Sequence, residues 1–207
     1  IPIDGMDRST AQAMLAKRKV VLEDATEDKL LAKTSGHALA LSTFAALVAR
    51  GHEPSELLAG DLTGIWQLRM WLDRLLQYVG AESRALGEMY SFLPISFSSR
   101  AVARVGAIEG IEGTELALAE LADRFIIEHI GDRRWRMHQL VAHSIRETVA
   151  PTDRQRILKV LAWDQILGTG LPTRPAESVD SVRKGLTAVS LLRRAQDFAT
   201  ASLVANA

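Results

Sequence analysis

"RFIIEHIGDRRWRMHQLVAHSIRE", residues 124–147, is the stretch on which the reading of this chain turns. Phe125, Ile127 and His129 alternate with Ile126, Glu128 and Ile130, the two-residue period of a half-buried strand. "GDRR" supplies a turn and "WRM" a second strand. His138 then opens a helix on which Val141, Ala142, Ile145 and Val149 share one face by the i, i+3, i+4, i+7 rule, with Pro151 expected to stop it. The stretch is a β-hairpin that delivers a histidine to the start of an amphipathic helix.

Three helices precede the hairpin. "AESRALGEMYSFLP" is expected to close at Pro94, "SSRAVARVG" to be capped by Ser98 or Ser99, and "TELALAELADR" to be capped by Thr114. Three helices followed by a two-stranded hairpin is the layout of a winged helix. Further upstream, "DRSTAQAMLAKRKVV" places Ala11, Met14 and Leu15 at helical spacing behind a cap at Asp7 or Ser9, after a short extended "IPI". Thr26 is expected to cap "TEDKLLAKT", which Gly36 breaks. "HALALSTFAALVAR" is apolar on almost every face and reads as a buried helix ended by Gly51. After the short "SELLAG", a long helix carries Ile65, Leu68, Leu72, Leu75 and Leu76 on one stripe. Beyond Pro151, Ile157, Leu158, Leu161 and Ile166 mark another helix before the breaker-rich "GTGLPTRPAE", and a last helix from about Glu177 carries Val189, Leu191, Leu192 and Ala195, with a break expected near Gly185.

The expected fold class is mainly α: a helical bundle over residues 1–80, a winged-helix domain with a small β-hairpin over 81–150, and over 151–207 a C-terminal helical extension that is a linker or the start of a helical-repeat sensor. Composition agrees with a folded chain, since 47% of the 207 residues are hydrophobic and 24% charged. Twenty-five basic and twenty-five acidic residues cancel, so no global field draws the chain to nucleic acid or an anionic membrane. The absence of cysteine excludes disulfides, thiolate metal sites and cysteine nucleophiles, and fits a reducing, cytoplasmic location. Thr34–Ala49, the longest uncharged run, is too short to span a bilayer. Residue 1 is not methionine, and the chain is expected to be a piece of a longer protein.

Two short strings carry a family resemblance. "TSGHALAL", Thr34–Leu41, is similar to the glycine-x-proline motif of NB-ARC modules in STAND-type signalling NTPases, usually G-x-P-L-A-L, whose proline sits beside bound nucleotide. "WRMHQLV", Trp135–Val141, resembles the Met-His-Asp motif of the same family, whose histidine contacts the β-phosphate of ADP. Their separation of roughly one hundred residues also fits, and the likeness spans residues 1 to about 150. The resemblance implies cofactor-binding roles for His138, Gly36 and Ala38, and ADP or ATP as ligand only together with an upstream nucleotide-binding domain of the same protein. It further implies homo-oligomerisation on activation. Three departures stand beside it: Ala38 replaces the proline, Gln139 replaces the aspartate, and the chain has no G-x-x-x-x-G-K-[ST] phosphate loop. No ATP hydrolysis is expected of this chain alone.

The residues themselves support a ligand role for His138, because a helix N-terminus offers unpaired N–H groups and partial positive charge to an anion. His37 reads as a structural or rim residue, and His52, His129 and His143 have no partner at metal-ligand spacing, so no metal site is expected. No nucleophile elbow or paired catalytic carboxylates are present, and no enzyme activity is expected. Trp66, Trp71, Trp135 and Trp163 read as core or interface residues. Two alternatives to a nucleotide switch are a winged-helix adaptor for protein partners and, more weakly, a DNA-binding domain. Base reading from the third helix requires Arg, Lys, Asn or Gln, whereas "TELALAELAD" offers Glu115, Glu120 and Asp123. Double-stranded DNA should therefore bind weakly and with little sequence preference; sequence-specific gel shifts that survive about 150 mM salt would contradict this.

Overall fold

The computed structural model describes residues 5–59, 64–169 and 178–206. They form two compact units: one holds the described residues up to Val79 together with Glu120–Ile126, the other Gly80–Ala119 and the described residues from Ile127 onward. The chain is mainly helical, with a small three-stranded antiparallel sheet. No helix among the described residues is long and apolar enough to cross a membrane.

The first unit contains α1 (Arg8–Ala16), α2 (Asp24–Thr34), α3 (Ala38–Val48), α4 (Pro54–Leu57) and α5 (Gly64–Gln77). As its composition predicts, α3 is the central helix: Ala40, Leu41, Thr43, Phe44, Ala45, Ala46 and Leu47 are all buried, with α1, α2 and α5 packed around it. Phe44 meets the ring of Trp71 at 5.3 Å, and each such fully buried side chain contributes about 1.5–3 kcal/mol. From one face of α5, Gln67 Nε2 and Trp71 Nε1 both donate to the Leu57 carbonyl at 3.0 Å, satisfying the end of the four-residue α4. Polar contacts join α1 to α2, where Arg8 reaches Asp24, Glu27 and Asp28. Residues 120–126 complete this unit: Leu121 and Ile126 are buried, Arg124 donates to the Tyr78 carbonyl at 2.8 Å, and the Arg18 guanidinium lies 3.2 Å from the Phe125 ring centroid.

The second unit contains α6 (Ala81–Tyr90), β1 (Phe97–Ser98), α7 (Ser99–Glu109), the first part of α8 (Thr114–Asp123), β2 (Ile127–His129), β3 (Arg134–Met137), α9 (Gln139–Thr148), α10 (Pro151–Thr169), α11 (Val179–Arg194) and α12 (Phe198–Ala205). The sheet order is β1-β3-β2, both pairings antiparallel, with Phe97 opposite Trp135 and Glu128 opposite Arg136. Glu128 and Arg136 form a cross-strand ion pair at 2.6 Å, and Trp135 Nε1 donates to Ser99 Oγ at 2.9 Å. Residues 131–133 all have positive φ, so the turn is tight enough for the Arg133 carbonyl to accept from Ser99 N–H at the start of α7. Helices α10, α11 and α12 pack in succession, and α10 also packs on α6 and α7.

Several local expectations require correction. Strand β1 has no sequence signature, because two residues next to a serine cap carry too little pattern. Phe125 is not in the strand; its φ of 58° turns the chain, and Ile126 and Ile127 are both buried in sequence. Thr26 lies inside α2, whose N-cap is Glu23 without a side-chain bond, whereas Asp7 caps α1 by accepting from Thr10 N–H at 2.7 Å. Helix α9 ends at Thr148, ahead of Pro151 as expected, and Pro151 is in addition the first residue of α10, where a missing N–H costs nothing. Gly185 lies buried within an unbroken α11; the chain turns instead at Gln196, with φ of 60°. Of the tryptophans read as core or interface residues, Trp71 is in the core, while Trp66 is 63% exposed and Trp163 45%, so neither is a core residue. "IPI" and most of "GTGLPTRPAE" lie outside the described residues.

One buried ion pair ties α7 to α10. Arg104 Nε and Nη2 approach Asp164 Oδ1 at 3.0 and 2.6 Å, and Gln165 Nε2 approaches Oδ2 at 3.3 Å. Asp164 is 2% exposed while the Arg104 side chain is 37% exposed. Burial raises the Asp164 carboxyl above its ordinary range, against the lowering effect of the Arg104 hydrogen bond and charge. The two partners are therefore unequal. Arg104→Met strands a buried carboxylate and should cost about 2–3 kcal/mol, whereas Asp164→Asn keeps an acceptor for a guanidinium that water can reach and should cost under about 1 kcal/mol. Because the folded state takes up the proton more readily than the unfolded one, Asp164 weakens the fold above its raised value, and this cost is relieved as pH falls toward the ordinary 3.8. Urea melts should show the parent gaining on Asp164→Asn over that acid interval; a gap that narrows on acidification would contradict the assignment.

Candidate functional site

His138 lies between a strand and a helix, and both ends of that junction are held. On one side Met137 is 8% exposed and pairs with Ile127; on the other Ala142 N–H donates to the His138 carbonyl at 2.9 Å. With φ of −65° and ψ of 139°, His138 is the N-cap of α9, and its Nδ1 accepts from Leu140 N–H at 3.2 Å. A neutral imidazole that accepts at Nδ1 carries its proton on Nε2. The residue is exposed, as is Gln139. The hairpin thus places an imidazole at a helix N-terminus, where unpaired N–H groups suit an anion.

Gly36 and Ala38 belong to the first unit and His138 to the second. Gly36 is buried, has φ of 67°, and follows Ser35, which is also left-handed with φ of 50°. Its carbonyl accepts from Met6 N–H at 2.9 Å. A Cβ on Gly36 would come within 2.5 Å of the Met6 carbonyl oxygen, and one on Gly5 within 1.7 Å of the Ser35 carbonyl oxygen. Two backbone segments cross here with room for glycine alone, which gives Gly36 a structural reason for its identity. Ala38 is exposed and is the first residue of α3, the position at which proline is tolerated without loss of a hydrogen bond. His37, expected at the rim, is the exposed N-cap of α3 and makes no side-chain capping bond.

The other histidines divide by environment. His52 Nε2 and the Tyr78 hydroxyl are 3.0 Å apart, His129 meets the edge of Trp135 at 5.0 Å, and His143 Nε2 lies 3.3 Å from Glu147. No group of three or more potential metal ligands occurs among the described residues. Tyr90 is 2% exposed, its ring stacks on Phe97 at 4.1 Å, and its hydroxyl makes no hydrogen bond among the described residues. Burial and then the charge of Asp164 push that phenol well above its ordinary range, so it stays protonated.

Sequence reading missed a cavity of about 550 Å³ in the second unit, where Phe92, Arg146, Arg154, Leu158 and Arg194 meet. Arg146 Nη1 donates to the Ser91 carbonyl at 2.9 Å, and Arg154 donates through Nε to the Val149 carbonyl at 2.9 Å and through Nη2 to the Arg146 carbonyl at 3.2 Å. Arg194 sits 5.9 Å from the Phe92 ring centroid. The three arginines are spread over 48 positions and share no motif; only helix packing brings them together.

No protein-family model matches the chain, and no curated protein matches it significantly. The residues must therefore speak through their geometry. Gly36→Ala places a methyl group against the Met6 backbone at an unfavourable φ, and should lower stability by at least about 2 kcal/mol. Ala38→Pro should change it by less than about 1 kcal/mol. Equilibrium unfolding in urea checks both, and a harmless Gly36→Ala would remove the structural reason for this glycine.

Proposed function

We propose that this chain is the regulatory portion of a STAND-like signalling ATPase, closing on an upstream nucleotide-binding domain in the ADP state and supporting oligomerisation when released. The observation that carries the reading is the position of His138: at the N-cap of α9, directly after a hairpin, with Nδ1 engaged by Leu140 N–H. In this reading the imidazole at that helix start contacts a phosphate of the bound nucleotide. The order α6-β1-α7-α8-β2-β3-α9 with strand order β1-β3-β2 supports a winged-helix reading of this region. In the proposed switch, contacts to diphosphate favour the closed state and their loss favours the open one, so differential contact free energy sets the population.

One observation favours a second reading, a winged-helix adaptor that binds protein partners and never meets nucleotide. Leu116 is 79% exposed on α8, beside the exposed Glu115 and Ala119. That surface is apolar and acidic, which suits a protein partner better than a phosphate backbone.

Substitution at His138 in a protein that carries the nucleotide-binding domain separates these readings. Loss of a donor to a charged acceptor is worth roughly 1–3 kcal/mol, so His138→Ala should speed ADP release by about fivefold to a hundredfold. It also removes a helix cap and should lower the melting temperature. His138→Ser restores the cap without the reach of imidazole; it should recover the melting temperature and still release ADP fast. Unchanged ADP release in both variants would leave only the capping role and the adaptor reading.

A further inference from the structure

We propose that the arginine-lined cavity of the second unit binds a phosphate monoester whose ester group is apolar, independently of any nucleotide contact at His138. The argument begins with charge. Arg146, Arg154 and Arg194 line a cavity to which, among the described residues, one carboxylate, Glu147, contributes, and Glu147 lies at 3.3 Å from His143. Among the described residues no carboxylate pairs with any of the three arginines. Gathering like charges costs free energy, and at Arg146 burial first, and then the charge of Arg194, lower the guanidinium below its ordinary range. A bound anion offsets that repulsion. Among the described lining residues, three guanidinium charges against one carboxylate leave two positive charges, which a phosphate dianion balances and a single carboxylate does not.

Hydrogen bonding points the same way. The carbonyls of Ser91, Val149 and Arg146 engage Arg146 Nη1 and Arg154 Nε and Nη2, fixing both side chains while leaving Arg146 Nε and Nη2 and Arg154 Nη1 as donors. Arg194 makes no hydrogen bond to the described residues and rests on the Phe92 ring. Two anchored guanidiniums and one adjustable one suit an acceptor with three terminal oxygens, and guanidinium forks match phosphate geometry. Phe92, Pro151 and Leu158 supply the apolar part of the wall, and about 550 Å³ is within the range of small-molecule sites. An inorganic ion would use the arginines and leave that wall wet.

Calorimetric titration of the 207-residue chain at low salt with phenyl phosphate, inorganic phosphate and benzoate tests the proposal. Phenyl phosphate should bind saturably, at least about tenfold more tightly than either of the other two, because only it meets both the charge and the apolar wall. Arg194→Gln should weaken it about tenfold or more. The same variant should melt with the parent, since Arg194 is exposed and makes no hydrogen bond to the described residues. Absence of saturation by about 10 mM phenyl phosphate, equal affinity for inorganic phosphate or benzoate, or unchanged affinity in Arg194→Gln would each overturn it.

Discussion

The second unit depends on the approach of Arg104 to Asp164. Asp164 is buried on α10, where a lone carboxylate would be costly, and the guanidinium from α7 makes the burial tolerable. A second pair, Arg156 with Glu109, joins the same two helices near the surface. Because α10 is held to α7, Ile157, Leu158, Leu161 and Ile166 have a fixed surface to pack against. Because α7 is held at its own start by Ser99, whose N–H reaches the Arg133 carbonyl and whose Oγ receives the Trp135 indole N–H, the hairpin is positioned by the same helix. Polar contacts of this kind add little net stability compared with the surrounding apolar burial. Their effect is on geometry: they fix which residues of α7, α10 and the hairpin face one another.

That geometry positions the two places proposed to meet an anion. His138 is positioned by the strand before it and the helix after it, through Met137 and the cap to Leu140, so its ring orientation is a property of the hairpin junction. The arginine cavity is positioned by packing between helices distant in sequence, with Phe92 following α6, Arg146 on α9, Arg154 on α10 and Arg194 ending α11. One site is local and the other tertiary. The first unit differs from both, since its candidate glycine is explained by a backbone crossing between residues 5–6 and 35–36.

Much of the helical framework was legible in the amino-acid order. The all-round apolar character of residues 38–48 demanded a central helix, and the 3.6-residue stripe through Val141, Ala142 and Ile145 demanded an amphipathic one. The caps were legible only as the pairs Asp7 or Ser9 and Ser98 or Ser99, of which the structure uses Asp7 and Ser98, because a side-chain oxygen next to a free N–H acts within one turn. His138 was legible as the start of α9 for the same reason: hairpin, cap and apolar stripe are all local signals.

What only the tertiary structure decided has a common physical cause, namely dependence on neighbours remote in sequence. Strand β1 exists because β3 pairs with it, not because Phe97 and Ser98 favour extended structure. Gly185 does not break α11, since helix packing outweighs the modest penalty of one glycine. That Pro151 also begins a helix follows from the packing of α10, while α9 ends before it at Thr148. The meeting of Arg146, Arg154 and Arg194 has no sequence period at all; it arises only where α9, α10 and α11 come together. Local order determined which segments are helical and where a histidine caps one of them, while long-range packing decided which charges share a cavity, because electrostatic environment is a property of space and not of spacing.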